Sequence, residues 1–327
     1  MNLIRIYCDA APRFLRDAAE APEMVRLKGV GMHCGCEYTS FPRFARLASY
    51  SRFDHSVGAA LIVWRFTHSR RQTLAALYHD IATPCFAHVV DFMLGDSLRQ
   101  ERTEDGTREI IEASEAIGRL LDREGLTVDD VCDYHRYPVA DNDSPRLSSD
   151  RLEYTLHNLV NFSLATEGEV QALYDDLTVD RGEDGQPELS FKTLAAARAF
   201  AFGALSMSRV YVSDEDRFSM QALSELLTDA VQHGAIDYGD LWTTESALIQ
   251  KLKRNPDCDR AWRTYRAYSA VRRDPSGRVV YAKKRCIDPL IAGEGRLTAL
   301  DGDYAAALDA FLREDQSEGL VGMADRV

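Results

Sequence analysis

Residues 51–80, SRFDHSVGAALIVWRFTHSRRQTLAALYHD, read as two helices in succession. Val57, Ala60, Leu61 and Trp64 fall on one face at 3.6-residue spacing. Ser69 is placed to cap the second helix, whose apolar residues include Leu74, Leu77 and Tyr78. Pro84 interrupts, and a third helix can begin near Phe86 with Val89, Val90 and Met93 inward. Ile110, Ser114, Ile117 and Leu121 mark a fourth helix, stopped by Gly125. Leu152, Leu156 and Leu159 mark a fifth. The character then changes. The turn Arg181–Gly185, between Tyr174–Val179 and Leu189–Phe191, predicts a small β-hairpin. Helical spacing resumes over Thr193–Met207, Phe218–His233 and Tyr304–Leu312. A second β signal, Val279–Ala282, follows the turn Asp274–Gly277, and the polar tail after Glu314 is expected to fray. The expected fold is mostly α. A helical core occupies residues 1–165, and a C-terminal helical region with small β elements, 166–327, packs on it.

At 327 residues the chain has room for one large or two modest domains. Its 45% hydrophobic and 28% charged residues exclude a disordered or collagen-like reading. No apolar run approaches the roughly 18 residues of a membrane span. Met1–Arg5 lacks the features of a secretory signal, so the expected location is the cytoplasm. A net charge of −13 gives no global drive toward nucleic acid. The seven cysteines are an odd number, and a disulfide framework is not expected. Cys34 and Cys36 flank no further ligands beyond His33 and read as loop residues.

The chemistry lies in His55, His79-Asp80 and Asp150. An adjacent His-Asp pair at the end of an apolar helix is costly to bury unpaired, and a cation supplies the missing partner. The two side chains converge on one ion if the helix ends there, which Pro84 favours. Two imidazoles and two carboxylates suit one divalent ion (manganese, iron, zinc, cobalt, nickel or magnesium) rather than a thiolate-selected metal. Positions left open on the ion would take water and a phosphate oxygen.

This H…HD…D pattern resembles the signature of the HD-superfamily metal-dependent phosphohydrolases. The block Ser51–Gly58 is similar to the Arg-Phe-Glu-His-Ser-x-Gly block of the deoxynucleoside triphosphate triphosphohydrolase branch. His79–His88 and Asp150–Tyr154 are similar to two further blocks of that branch, and the likeness covers most of residues 22–252. The resemblance implies an HD-domain helical bundle and hydrolysis of a nucleotide, dNTP included, or a related phosphate ester by metal-activated water. It implies that His55, His79, Asp80 and Asp150 hold the metal. It implies that Arg52 contacts a phosphate, with a solvent-facing salt bridge as the alternative. Tyr154 and Asn158 would contact the sugar, and His88, oriented by Asp91, would handle a proton. The sequence departs from the pattern where the family has imidazoles, at Thr83 and near Thr103-Glu104, with Glu104 a candidate carboxylate acid/base. Those departures leave open a non-catalytic nucleotide-binding sensor, or a metal-stabilised helical interaction module. The resemblance also suggests a homo-oligomer. His135 could line the pocket mouth, whereas Lys251–Arg254 and Lys283–Arg285 could attract an anionic ligand or regulator, solvated charged faces being the commoner reading.

Overall fold

The computed structural model describes residues 3–8, 10–95, 98 and 106–325. Its elements run α1 (Ile4–Tyr7), α2 (Arg13–Ala19), α3 (Pro22–Arg26), α4 (Arg52–Thr67), α5 (Arg70–Tyr78), α6 (Val89–Met93), α7 (Thr107–Ala113), α8 (Glu115–Glu124) and α9 (Ser149–Asn161). They continue through α10 (Glu167–Asp175), β1 (Leu177–Arg181), β2 (Pro187–Phe191), α11 (Leu194–Tyr211), α12 (Asp214–Gln232), α13 (Glu245–Leu252) and α14 (Pro256–Arg266). The last are β3 (Tyr268–Val279), β4 (Leu290–Ile291), β5 (Gly295–Arg296), α15 (Leu297–Leu300), α16 (Gly302–Arg313) and β6 (Gly319–Ala324). Glu104 lies outside the described residues.

The fold is mostly α and is organised around α4. A capping box starts this helix: the Ser51 hydroxyl accepts from Asp54 N, and the Asp54 carboxylate accepts from Ser51 N. It stops at His68, whose φ of 49° is left-handed. The expectation of one apolar face is too narrow, because every residue from His55 to Val63 is buried. Helices α5 and α9 pack on α4, α11 packs on α9, and α12 packs on α6 and α14. A helix enclosed in this way is apolar nearly all round.

The expected single helix through Ser114 is two helices. Ser114 takes an extended backbone and its hydroxyl accepts from Ile117 N, so it caps α8 instead of continuing α7. The hairpin forms as β1 and β2, paired antiparallel from Leu177↔Phe191 to Arg181↔Pro187. Tyr174 belongs to α10, where its ring packs on Tyr7 at 5.3 Å. β4 adds parallel to β2, and β5 adds antiparallel to β4.

Two expectations for the C-terminal region are corrected. The Asp274–Gly277 turn is a bulge inside β3, tightened by Ser276 N and Oγ on Asp274 Oδ1. The tail after Glu314 is ordered, because β6 pairs antiparallel with β3. A Cβ on Gly319 would collide with the carbonyl oxygens of Asp274 and Gly277, so only glycine admits the close crossing of these strands. One connected apolar core runs from Leu3 to Leu320. Among the described residues no helix is long and apolar enough to cross a membrane. All seven cysteines are free thiols.

Candidate metal centre and pocket

Three helix ends converge on one point. His55 sits in the first turn of α4, His79-Asp80 follows the last residue of α5, and Asp150 sits in the first turn of α9. The end of α5 at Tyr78 is what lets both His79 and Asp80 turn inward. Ligand atoms of His55, His79 and Asp80 all lie within 4.8 Å of one another, and all three residues are buried. Asp150 Oδ1 completes the group, 2.9 Å from His55 Nε2 and 3.6 Å from His79 Nε2. Asp80 Oδ2 lies 3.5 Å from His79 Nε2 and 3.9 Å from His55 Nε2.

Each ring is aimed from its far side. His55 Nδ1 is 2.6 Å from Glu153 Oε2, and His79 Nδ1 is 2.7 Å from the Ala76 carbonyl. Nδ1 thus carries the donated proton in both rings, and both present Nε2 to the carboxylates. This is the outer arrangement that orients imidazole ligands to a metal. The donor set of two imidazole nitrogens and two carboxylates therefore fits a divalent cation.

The charges are strongly coupled. Burial disfavours a charged His55, yet hydrogen bonds to Asp150 and Glu153 override it and raise its pKa to about 10. Burial would raise Asp80, but Arg52, His79 and His55 hold its carboxyl well below the usual range. Asp150 is likewise held low, against burial, by its bonds to His55 and His79. The carboxylates of Asp80, Asp150 and Glu153 are thus balanced by the imidazoles and the Arg52 guanidinium, and a divalent ion would replace the ring protons at Nε2.

Sequence reasoning missed Glu153. It is 1% exposed and accepts from Tyr50 OH and, at 3.4 Å, from Tyr7 OH. His157 Nδ1 lies 3.7 Å from its other oxygen, and the His157 ring stacks on Tyr50 at 3.5 Å. The available signal was its i,i+3 offset from Asp150, which puts both carboxylates on one helix face. Gly58 makes room for it. A Cβ there would lie 2.7 Å from Glu153 Cγ and Oε1. Gly58→Ala is expected to push Glu153 off His55 and weaken metal binding about tenfold or more while leaving the helical circular-dichroism signal intact. Unchanged metal affinity in that variant would remove Glu153 from the account.

Around these four side chains lies a cavity of about 350 Å³, at the low end of the roughly 300–1,000 Å³ of small-molecule sites. Arg52, His88, Tyr154, Asn158, Tyr134 and His135 all line it. Arg52 is not a solvent-facing salt bridge. It is 7% exposed, and Nη1 bonds both Asp80 oxygens, at 3.0 and 3.3 Å. Its Nε is buried with no hydrogen-bond partner among the described residues. Thr83 donates its hydroxyl to Asp80 Oδ1 at 2.8 Å. His88 Nδ1 is 2.9 Å from Asp91 Oδ2, and Asp91 is fully buried. Burial, together with the charges of Arg285 and Arg52, lowers the His88 pKa against the pull of Asp91, so the ring is neutral at pH 7. Asn158 Oδ1 is 3.2 Å from His33 Nε2, and its amide donates to Tyr211 OH at 2.8 Å. His33 thus faces the cavity and is not an ordinary loop residue. Its Cys34 and Cys36 neighbours are buried. Lys283 and Arg285 also line the cavity, which corrects the reading of that run as a solvated face.

A buried carboxyl pair supports the loop that carries His88. Glu245 accepts from Gly31 N at 2.8 Å, Tyr38 OH at 2.8 Å and Phe86 N at 3.4 Å. Phe86 and Ala87 in this loop take left-handed backbone, at φ 59° and 45°. Burial and the charge of Glu245 push Glu37 up to about 8. Folding therefore takes up a proton between the ordinary carboxyl value of 4.5 and about 8, and Glu37's contribution to stability is lost as pH rises through that window. Glu37→Gln is expected to flatten the decline of Tm between pH 5 and 8; parallel Tm profiles for parent and variant would contradict this.

No family model matches the chain. Over 292 residues it is 25% identical to the protein named metal-dependent phosphohydrolase cns2 of Cordyceps militaris, covering 84% of this chain and 79% of that one. This chain is similar to a phosphohydrolase. Over 243 residues it is also 23% identical to the uncharacterized protein YdhJ of Bacillus subtilis, covering 73% of this chain and 70% of that one. The stretch matched to cns2 is longer than residues 22–252, which carry the sequence motifs.

Proposed function

We propose that this chain is a metal-dependent phosphohydrolase of the HD type, acting on a nucleotide or a related phosphate ester. The observation that carries the reading is the convergence of His55, His79, Asp80 and Asp150 on one floor of the cavity, with both imidazoles fixed from behind. The similarity to a protein named a metal-dependent phosphohydrolase supports it. A divalent ion held by these four residues would supply a Lewis acid and a water of lowered pKa.

The other residues bind, orient and move protons. Arg52 fixes Asp80 through Nη1 and lines the cavity, where its positive charge would face a substrate phosphate. Asp91 holds His88 Nδ1, and Nε2 accepts from Arg285 Nη2 at the cavity wall, so the ring can take a proton and return it to the leaving group once Arg285 turns onto the substrate. Tyr154 and Asn158 line the wall where hydroxyl groups of a sugar would bond.

Metal-loaded protein, purified without chelator, is expected to release phosphate, pyrophosphate or triphosphate from at least one member of a panel of nucleotides and simple phosphate esters. The released group identifies the bond cleaved, and triphosphate would place the chain with the dNTP triphosphohydrolases. Tight nucleotide binding with no product on loaded protein would instead favour a sensor, a reading motivated by Thr83 standing on Asp80 where the family has an imidazole.

A further inference from the structure

The segment after β3, residues 280–288, runs along the pocket mouth as an arm that is tied down at both ends. Buried Arg217 donates to the Val280 and Gln316 carbonyls, and the Gln316 side chain bonds both Ala282 N and Ala282 O. At the far end Tyr304 OH donates to Ile287 O, and Asp288 N donates to Pro145 O at 2.7 Å. Successive side chains of an extended run point to opposite sides. Lys284 turns outward and donates to the Leu312 carbonyl at 2.7 Å, while Lys283 and Arg285 line the cavity with the four ligand residues. Arg285 Nη2 donates to His88 Nε2 at 3.3 Å, which fixes one edge of the guanidinium beside the proton-handling ring.

We infer that Lys283 and Arg285 are phosphate-binding cations of this site, so that the C-terminal region supplies a positive wall beside the metal-binding floor. The inference rests on the phosphohydrolase reading and deepens it. The cavity is lined by Asp141, Asp143 and Asp216 as well as by the carboxylate ligands. A phosphate dianion entering it needs positive charge beyond the metal. The helical core brings two guanidinium groups: Arg52 holds Asp80, and Arg151 holds Asp141 at 3.2 Å and the Asn142 and Arg146 carbonyls. The arm brings two further cations, on a backbone anchored so that both turn to the same side. The planar fork of Arg285 suits two phosphate oxygens, and Lys283 adds a second positive charge on the same side of the arm. The ligand class is a phosphate monoester or anhydride whose phosphoryl group bridges floor and arm. The Arg285 contact with His88 Nε2 also brings that anion next to the proton-handling ring.

The test is calorimetric titration of the metal-loaded full chain with inorganic phosphate, with metal content measured on the same samples. Lys283→Gln and Arg285→Gln are each expected to keep the metal and to weaken phosphate binding about tenfold or more, as loss of a charged hydrogen-bond partner does. Arg285→Lys should recover part of the loss, and Lys284→Gln, on the outer side of the arm, should change nothing. Parent-like phosphate affinity in both Gln variants, with metal retained, overturns the inference and leaves the arm a scaffold. Failure of the phosphohydrolase reading has a different signature, a parent protein that takes up neither metal nor phosphate, and it takes this inference with it.

Discussion

Asp80→Ala is expected to lose the metal and all turnover together, and to destabilise the fold by about 3–5 kcal/mol, the usual cost of leaving one partner of a buried ion pair without the other. Arg52 and Asp80 side chains are only 9% and 6% exposed, so loss of the carboxylate leaves a largely desolvated guanidinium. Asp80 also anchors the Thr83 hydroxyl and lies against both imidazoles. The stability and metal effects separate in a double variant. Arg52→Met in the Asp80→Ala background removes the stranded charge and should restore much of the Tm, but not the metal. Chemical denaturation and elemental analysis of the two variants read these effects independently. An Asp80→Ala protein that still carries a stoichiometric metal would mean the ligand set is wrong.

Glu153→Ala has the second-largest expected effect. Burial would raise the Glu153 carboxyl, but its bonds to His157 and His55 outweigh that and hold it at about 2. Removing it frees His55 to rotate and strands the Tyr50 hydroxyl, which is buried. Metal affinity should fall about 10–100-fold, as it does when the partner behind an imidazole ligand is lost, and stability should fall by about 1–3 kcal/mol for an unpaired buried donor. Glu153→Gln keeps the volume and one acceptor and should recover part of both. The diagnostic result is a larger loss of metal affinity in Ala than in Gln at similar helical content. Equal affinity in parent and Ala would reduce Glu153 to core packing.

The legible part of this molecule is the part written in short, local patterns. Helices α4, α5 and α9 follow from apolar spacing and capping residues, and the ligand positions lie at their ends, where a break in periodicity is visible in one dimension. The adjacent His79-Asp80 pair marks a site because burying it without a partner is costly. What escaped the sequence depends on partners far along the chain. β6 meets β3 only after the arm, α15 and α16 have intervened, and the tail's polar composition gives no sign of it. Ser114 looks like one more helical residue, yet its hydroxyl captures Ile117 N and starts a new helix. Glu153 sits three residues from the candidate ligand Asp150, but its role appears only when Tyr7, Tyr50 and His55 are seen to converge on it. Lys283 and Arg285 form part of a basic run whose two faces are told apart only by the anchoring of the arm. In this fold the sequence exposes ligands more readily than the groups that aim them.

His55, His79, Asp80 and Asp150 are expected to hold one divalent ion together. The most direct test is elemental analysis of the full chain purified without chelator and after loading with manganese, iron, zinc, cobalt, nickel or magnesium in turn. One equivalent of a divalent ion per chain is expected, lost in Asp80→Ala. No bound metal under any loading condition would contradict it and leave the four residues a buried network of imidazoles and carboxylates with a structural role only.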